Sequence, residues 1–281
     1  MSYENPQVPH HVNVGRDNPL AEFLRLVAGA ALVVGVLSLT LYFAGGQLAR
    51  YIPFATEKSW VADRVLGIDV KTSRSAANAT VQAYLERLTR DLAVGMDLPD
   101  GMTINVHFSE MDVPNAFATL GGHIVVTSAL YRLMPSENAL AMVVAHEIGH
   151  VKARDPISAL GGVATLALTL ALLSGDVNGL SVYVGQVVQR GYSRRAESRA
   201  DEAAVSGLRR YYGHAGGSAA VFQVLSRYTS RLGDSMPSLL ATHPADADRI
   251  ARLEAAAADW DRVRQPLRPL AVSAPTPTPK S

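Results

Sequence analysis

The residues best equipped for chemistry stand together in Ala145-His146-Glu147-Ile148-Gly149-His150-Val151. His146 and His150 are four apart, so on a helix both imidazoles leave one face and can bind one metal ion. Imidazole nitrogen suits Zn2+. Glu147, beside the first histidine, can take a proton from a water activated by the metal as that water attacks a carbonyl. The chemistry is metal-assisted amide hydrolysis. An H-E-x-x-H pattern arises by chance in roughly one chain in a hundred of this size, or fewer. The bland alternative is a surface helix with two ordinary histidines. The preceding Leu140-Ala141-Met142-Val143-Val144-Ala145 run argues instead for a buried helix, where unpartnered His and Glu are costly.

A catalytic zinc needs a third protein ligand and an open position. The extended pattern H-E-x-x-H-x-x-G-x-x-H would put glycine at Ala153 and histidine at Pro156, so it is excluded. A glutamate on a second helix is the other common solution. The candidate is Glu197 in Glu197-Ser198-Arg199-Ala200-Asp201. Asp201 shares its face and could accept a hydrogen bond from a ligating imidazole. The charges of Arg194, Arg195, Arg199 and Glu202 leave a solvated helix as the competing interpretation. His107, His123 and His214 lack metal spacing and read as ordinary strand or loop residues.

These groups need elements to hold them. Ser136 is a plausible N-cap for a helix over 137–153. Val81, Tyr84, Leu85, Leu88 and Leu92 predict a helix over 76–94, ended near Gly95. Ile104, Val106 and Phe108 alternate as a half-buried strand. Residues 115–120, then Gly121-Gly122, then 123–127 read as strand, tight turn, strand. Further helices are expected over 193–208, 219–231 and 245–261. Helices around one small sheet predict an α+β domain.

Two apolar stretches raise the question of a membrane. Arg25 and Arg50 bracket 24 uncharged positions (26–49), and about 20 suffice to cross the hydrocarbon core. The long leader and long apolar run weigh against a cleaved signal. A second stretch lies between Asp155 and Asp176. His150 precedes it and Glu197 follows, so a crossing there needs a return crossing through the poorly apolar 177–189. A buried or membrane-surface helix is expected over a hairpin. Arg16 and Arg25 before the first span, against Arg50, Lys58 and Arg64 after it, do not set its orientation. The expected organisation is a flexible polar leader over 1–24, a transmembrane helix over 25–49 and a linker over 50–74. A catalytic domain over 75–262 and a Pro-rich disordered tail over 263–281 follow.

Lys plus Arg total 26 against 25 Asp plus Glu, so the net charge of +1 argues against nucleic-acid binding. Cys is 0, which excludes disulfides, thiolate catalysis and cysteine zinc ligands.

His146-Glu147-Ile148-Gly149-His150, Glu197 to Asp201, and Asn115-Ala116-Phe117-Ala118 with Gly121-Gly122 together resemble one family. It is the membrane-associated zinc peptidase family of the CAAX prenyl protease and the bacterial heat-shock protease HtpX. The resemblance spans about 75–260. It implies a zincin-like fold, one Zn2+ held by His146, His150 and Glu197, and Glu147 as the catalytic base. It implies that the 115–127 hairpin borders the cleft, where Asn115 and Ala116 could hold an extended peptide by backbone pairing. Thr242-His243-Pro244 with Arg249-Ile250 also matches. His243 could donate to the oxyanion, or simply start a helix beside Pro244. Members of that group carry several membrane helices, whereas one span is convincing here. Simpler relatives with a largely soluble protease domain look closer.

The expectation is a zinc endopeptidase anchored in the bacterial inner membrane, acting on unfolded or exposed polypeptide. The resemblance implies quality control and a catalytic domain on the periplasmic side. The rivals are a processing protease with one native substrate, and a non-proteolytic membrane adaptor or holdase. Oligomeric state is not legible.

Overall fold

In the computed structural model the described residues are 18–61, 64–65, 68–69, 75–174, 191–232, 238–244 and 246–272. Helix α1 (Pro19–Ala49) opens them, with the Asn18 side chain accepting the Leu20 N–H at 3.1 Å and Pro19 in the first turn. The helix thus begins inside the segment expected as leader; residues 1–17 lie outside the described residues. Its large apolar side chains, from Leu20 and Phe23 to Phe43 and Leu48, are exposed. It is long and apolar enough to cross a membrane.

The expected linker contains a short helix, α2 (Phe54–Ser59), followed by the two-residue pair β1 (Arg64–Val65) and β2 (Ile68–Asp69). Helix α3 (Ala76–Val94) follows, with the predicted bounds and Ser75 accepting the Asn78 N–H. Its apolar stripe buries Leu85, Leu88 and Leu92 against the core, each contributing about 2 kcal/mol.

The three-stranded sheet has the order β3-β5-β4. β3 (Asn105–Ser109) runs parallel to β5 (His123–Thr127), pairing Asn105 with His123. β4 (Ala116–Ala118) runs antiparallel to β5, pairing Ala116 with Val126. The predicted strand-turn-strand is present, with β4 at one edge of the sheet. Gly121 and Gly122 have φ of 69° and 77°, backbone that suits glycine.

Helix α4 (Ser128–Leu133) leads to α5 (Glu137–Lys152), where Ser136 accepts the Ala139 N–H at 3.2 Å as its sequence position predicted. Residues 137–151 are buried. α6 (Asp155–Ser174) covers the second apolar stretch, and its first turns pack against the end of α1 near Gly45 and Gly161. Whether the chain returns through a membrane falls on 175–190, outside the described residues.

α7 (Arg194–Tyr212) lies against α5 and buries Ala196, Glu197, Ala200, Asp201, Ala204 and Leu208. A Cβ on Gly149 would stand 3.0 Å from the Ala200 Cα, so a glycine there lets the two helices touch through their backbones. α8 (Ala220–Leu232) and α9 (Ser238–Thr242) follow. α10 (Ala247–Ala256) is shorter than predicted, because Asp246 caps it by accepting the Arg249 N–H and turns follow Ala256.

The expected unpacked tail differs most. Residues up to Val272 are docked: Arg268 N–H donates to Asn138 Oδ1 at 2.8 Å, and Tyr131 Oη donates to the Val272 carbonyl at 2.7 Å. Leu270 and Val272 pack on the core. The apolar residues between the prolines supply contacts that proline content hides. Residues 273–281 lie outside the described residues. The architecture is mainly helical with one small mixed sheet, as the α+β expectation held.

Candidate metal centre

α5 and α7 bring the predicted groups to one point. His146, His150 and Glu197 each offer a ligand atom there, and His243 offers a fourth, all within 4.8 Å of one another. All four are buried. The His146 and His150 Nε2 atoms lie 3.0 Å apart, and each is 3.4 Å from a Glu197 oxygen.

Their other nitrogens decide the tautomers. His146 Nδ1 lies 3.0 Å from Asp201 Oδ1, and His150 Nδ1 lies 3.0 Å from Asp155 Oδ2. An ionised carboxylate only accepts, so each Nδ1 carries the proton. Both Nε2 lone pairs then converge on one point beside the Glu197 carboxylate, which a cation satisfies and another acceptor does not. Glu147 Oε1 and Glu197 Oε2 are buried without a hydrogen bond of good geometry. This donor set fits a divalent metal with nitrogen and oxygen ligands.

The electrostatics agree. Burial alone would lower the His150 pKa, but the Asp155 and Glu197 carboxylates that face its ring nitrogens and the charge of Glu147 raise it to about 9. Burial would raise the Glu197 carboxyl, yet the three histidine rings that face it hold it far below the usual carboxylate range. The pocket therefore favours positive charge.

Glu147 is fully buried in α5, and its Oε2 accepts the Ala118 N–H at 2.8 Å. That bond shows which way β4 faces. The Asn115 carbonyl accepts Thr127 N–H and the Thr119 N–H donates to His123, both across to β5. The intervening Ala116 and Ala118 turn their backbone groups outward, toward the site. Ala116 thus turns its backbone away from β5, on the side where Ala118 meets Glu147. Asn115 does not, because its backbone is engaged with β5; its side-chain Oδ1 is buried and unbonded.

His243 is brought in by α9. Its Nδ1 lies 3.0 Å from Glu197 Oε1, and its Nε2 lies 3.4 Å from Glu147 Oε1. It thus lies within the cluster of His146, His150 and Glu197. A small apolar cavity of about 20 Å³ adjoins it, lined by Met142, Val143, Val221, Phe222 and Leu239.

Three residues escaped sequence reasoning. Asp155 is one; its signal was only a lone acid five places after His150. Arg249 was noted without a role. It is buried, pairs with Asp201 through Nε and Nη2 at 2.6 and 2.9 Å, and reaches Glu197 Oε2 at 2.7 Å. Its guanidinium also stacks over Phe222 at 4.8 Å. Tyr192 stacks on His150 with ring centroids 4.1 Å apart, and burial next to three carboxylates pushes its phenol up; nothing in the sequence marked it.

The remaining histidines lie outside this cluster. His107 Nε2 and His123 Nδ1 are 2.7 Å apart on the sheet, and His214 stacks on Trp260.

A buried Glu147 carboxylate beside two converging imidazoles and Glu197, next to the β4 edge, fits a metallopeptidase site. The comparisons agree. Residues 79–257 match the model of peptidase family M48, and the chain belongs to that family. It is 27% identical over 237 residues to a "Protease HtpX homolog" of Burkholderia multivorans, covering 69% of this chain and 80% of the relative. It is 31% identical over 160 residues to a "Beta-barrel assembly-enhancing protease" of Yersinia pestis, covering 50% of this chain and 32% of the relative. The protein is a protease.

Proposed function

We propose that this protein is a zinc endopeptidase anchored in a membrane by α1, acting on unfolded or exposed polypeptide as a quality-control enzyme. The observation that carries this reading is the convergence of the His146 and His150 Nε2 lone pairs on Glu197, with the Glu147 carboxylate alongside.

In this reading His146, His150 and Glu197 hold the zinc, with Asp201 and Asp155 orienting the two rings. Bound zinc supplies Lewis acidity for the carbonyl and lowers the pKa of a water. An extended substrate segment pairs with the outward backbone of β4, through Ala116 and the Ala118 carbonyl, as an added strand, while the Ala118 N–H stays on Glu147. That places its scissile carbonyl beside Glu147. Glu147 takes a proton from the attacking water and returns it to the leaving amine. His243 donates to the developing oxyanion. Arg249 neutralises Glu197 and Asp201, so that three buried carboxylates, counting Glu147, do not repel one another uncompensated.

The exposed apolar length of α1 supports the anchor. The periplasmic placement comes from the resemblance; labelling an introduced Ser59→Cys from either side tests it.

Casein cleavage by the purified full-length protein, run beside Glu147→Gln, tests the reading. We expect cleavage by wild type and loss of turnover by about 10³-fold or more in the variant, with zinc retained. Equal activity in both would refute the role of Glu147. Zinc binding without cleavage by wild type would favour the single-substrate processing protease or the adaptor.

A further inference from the structure

We infer that residues 50–57, which follow α1, are a working part of the active site, in which Arg50 and Glu57 position the ligand His150 and the turn that follows the edge strand β4. The inference rests on the zinc-peptidase reading above.

The two residues pair with two consecutive residues that follow the catalytic helix. Arg50 Nη2 donates to Asp155 Oδ1 at 3.0 Å, and Arg154 Nη1 stands 2.6 Å from Glu57 Oε2. Between these ion pairs Arg154 Nη2 donates to the Ile52 carbonyl, and its guanidinium lies over the Phe54 ring at 5.5 Å. Residues 50–57 are therefore fastened at four points to the junction of α5 and α6.

That junction sets one ligand. Asp155 Oδ2 receives the proton of His150 Nδ1. Its other oxygen is held from two sides, by Arg50 at the end of α1 and by Arg199 on α7, each at 3.0 Å. Two guanidinium groups on Oδ1 leave Oδ2 aimed at the imidazole. Arg154 adopts φ +61°, a backbone uncommon without glycine. This reversal brings Asp155 back beneath His150. The contacts of its side chain with Glu57, Ile52 and Phe54 hold the reversal in place.

Glu57 also reaches the opposite wall. Its Oε1 accepts the Gly121 N–H at 2.8 Å, in the turn that follows β4. A Cβ on Gly121 would come within 3.1 Å of Val61 Cγ2 and 3.3 Å of the Lys58 Cα, so α2 and the residues after it brace this turn. The strand preceding the turn sends Ala118 N–H to Glu147. One carboxylate, 3% exposed, thus touches both Arg154, just past the end of the ligand helix, and the turn that follows β4. A passive tether would have no reason to bury it.

The test uses the full-length protein in detergent: wild type, Arg50→Gln, Arg50→Lys and Glu57→Gln. Three quantities are read: the rate of zinc release to a chelator, kcat and KM on an unfolded casein peptide, and the Tm of the zinc-free form. For Arg50→Gln we expect zinc release faster by about 3–10-fold, below the 10–100-fold typical of a residue that touches the ligand itself. We expect kcat to fall by a similar factor, with KM and the zinc-free Tm unchanged, and Arg50→Lys to recover most of the loss. Glu57→Gln, which keeps an acceptor for Gly121 but loses the charge facing Arg154, should shift zinc release in the same direction. Wild-type zinc release and kcat in Arg50→Gln would overturn the inference. So would a kcat loss that tracks a lower Tm while zinc release stays constant, the signature of a purely structural role. If wild type itself binds no zinc, the zinc-peptidase reading fails and this inference falls with it. If wild type binds zinc and cleaves, the Arg50 result bears on the inference alone.

Discussion

His146 and His150 occupy successive turns of one helix, yet they are supported from different parts of the molecule. His146 is held from inside the catalytic domain: Asp201 on α7 takes its Nδ1–H, and Arg249 on α10 grips both Asp201 oxygens. His150 is held from the periphery, by Asp155, whose charge is shared with Arg50 and Arg199. The burial differs as well. The Arg249 side chain is 3% exposed, against 32% for Arg50 and 41% for Arg199. One ligand is therefore set by the core and the other by a surface network that includes the end of the apolar helix. A buried network resists change but fails severely when cut, whereas a half-exposed one can be rehydrated and adjusted.

The largest expected effect comes from cutting the buried side. Arg249→Met leaves Glu197 and Asp201 without their cation, and chemical denaturation should show a loss of about 3–5 kcal/mol. A loss under 1 kcal/mol would show that the two supports are alike. Next comes the paired replacement of the orienting carboxylates. Asp201→Asn and Asp155→Asn should each weaken zinc binding by about 10–100-fold in a competition titration. Only Asp201→Asn should also lower the zinc-free Tm, because it leaves the buried Arg249 with Glu197 as its one carboxylate partner among the described residues, while Arg50 and Arg199 regain water. Equal Tm losses would break the comparison.

The smallest effect lies away from both supports and serves as their reference. Burial, then the neighbouring His123, lower the His107 pKa to about 4. The unfolded chain takes up a proton near pH 6.5, but the folded one resists until about 4. This contribution is intact above pH 6.5 and is lost as pH falls from 6.5 to 4. His107→Gln should flatten the fall by roughly 1–2 kcal/mol after allowance for solvent screening. An unchanged pH profile of denaturation would assign the acid sensitivity elsewhere.

The sequence carried the centre of the site better than its surroundings. The candidate pair His146 and His150 was legible because helical period fixes relative position, and the same period put Asp201 on the face of Glu197; Glu197 itself stayed open beside a solvated helix until the resemblance implied it. The Ala116 edge came from the family resemblance, the strand pattern itself giving only a strand and a turn. Asp155 was not legible, because it lies beyond the Arg154 reversal, where helical period no longer applies. Arg249 and Tyr192 reach the site only through tertiary packing. The helix over 54–59 is too short to show a period, and the docked stretch to Val272 was masked by its prolines. Local pattern thus finds residues on one element, and misses those whose role comes from another element laid against it.

The central claim is that His146, His150 and Glu197 hold one zinc beside Glu147. The direct measurement is zinc content of the purified full-length wild type, Glu147→Gln and Glu197→Ala after dialysis against a weak chelator. The account predicts close to one zinc per chain in the first two and nearly none in Glu197→Ala. Full zinc content in Glu197→Ala would contradict it.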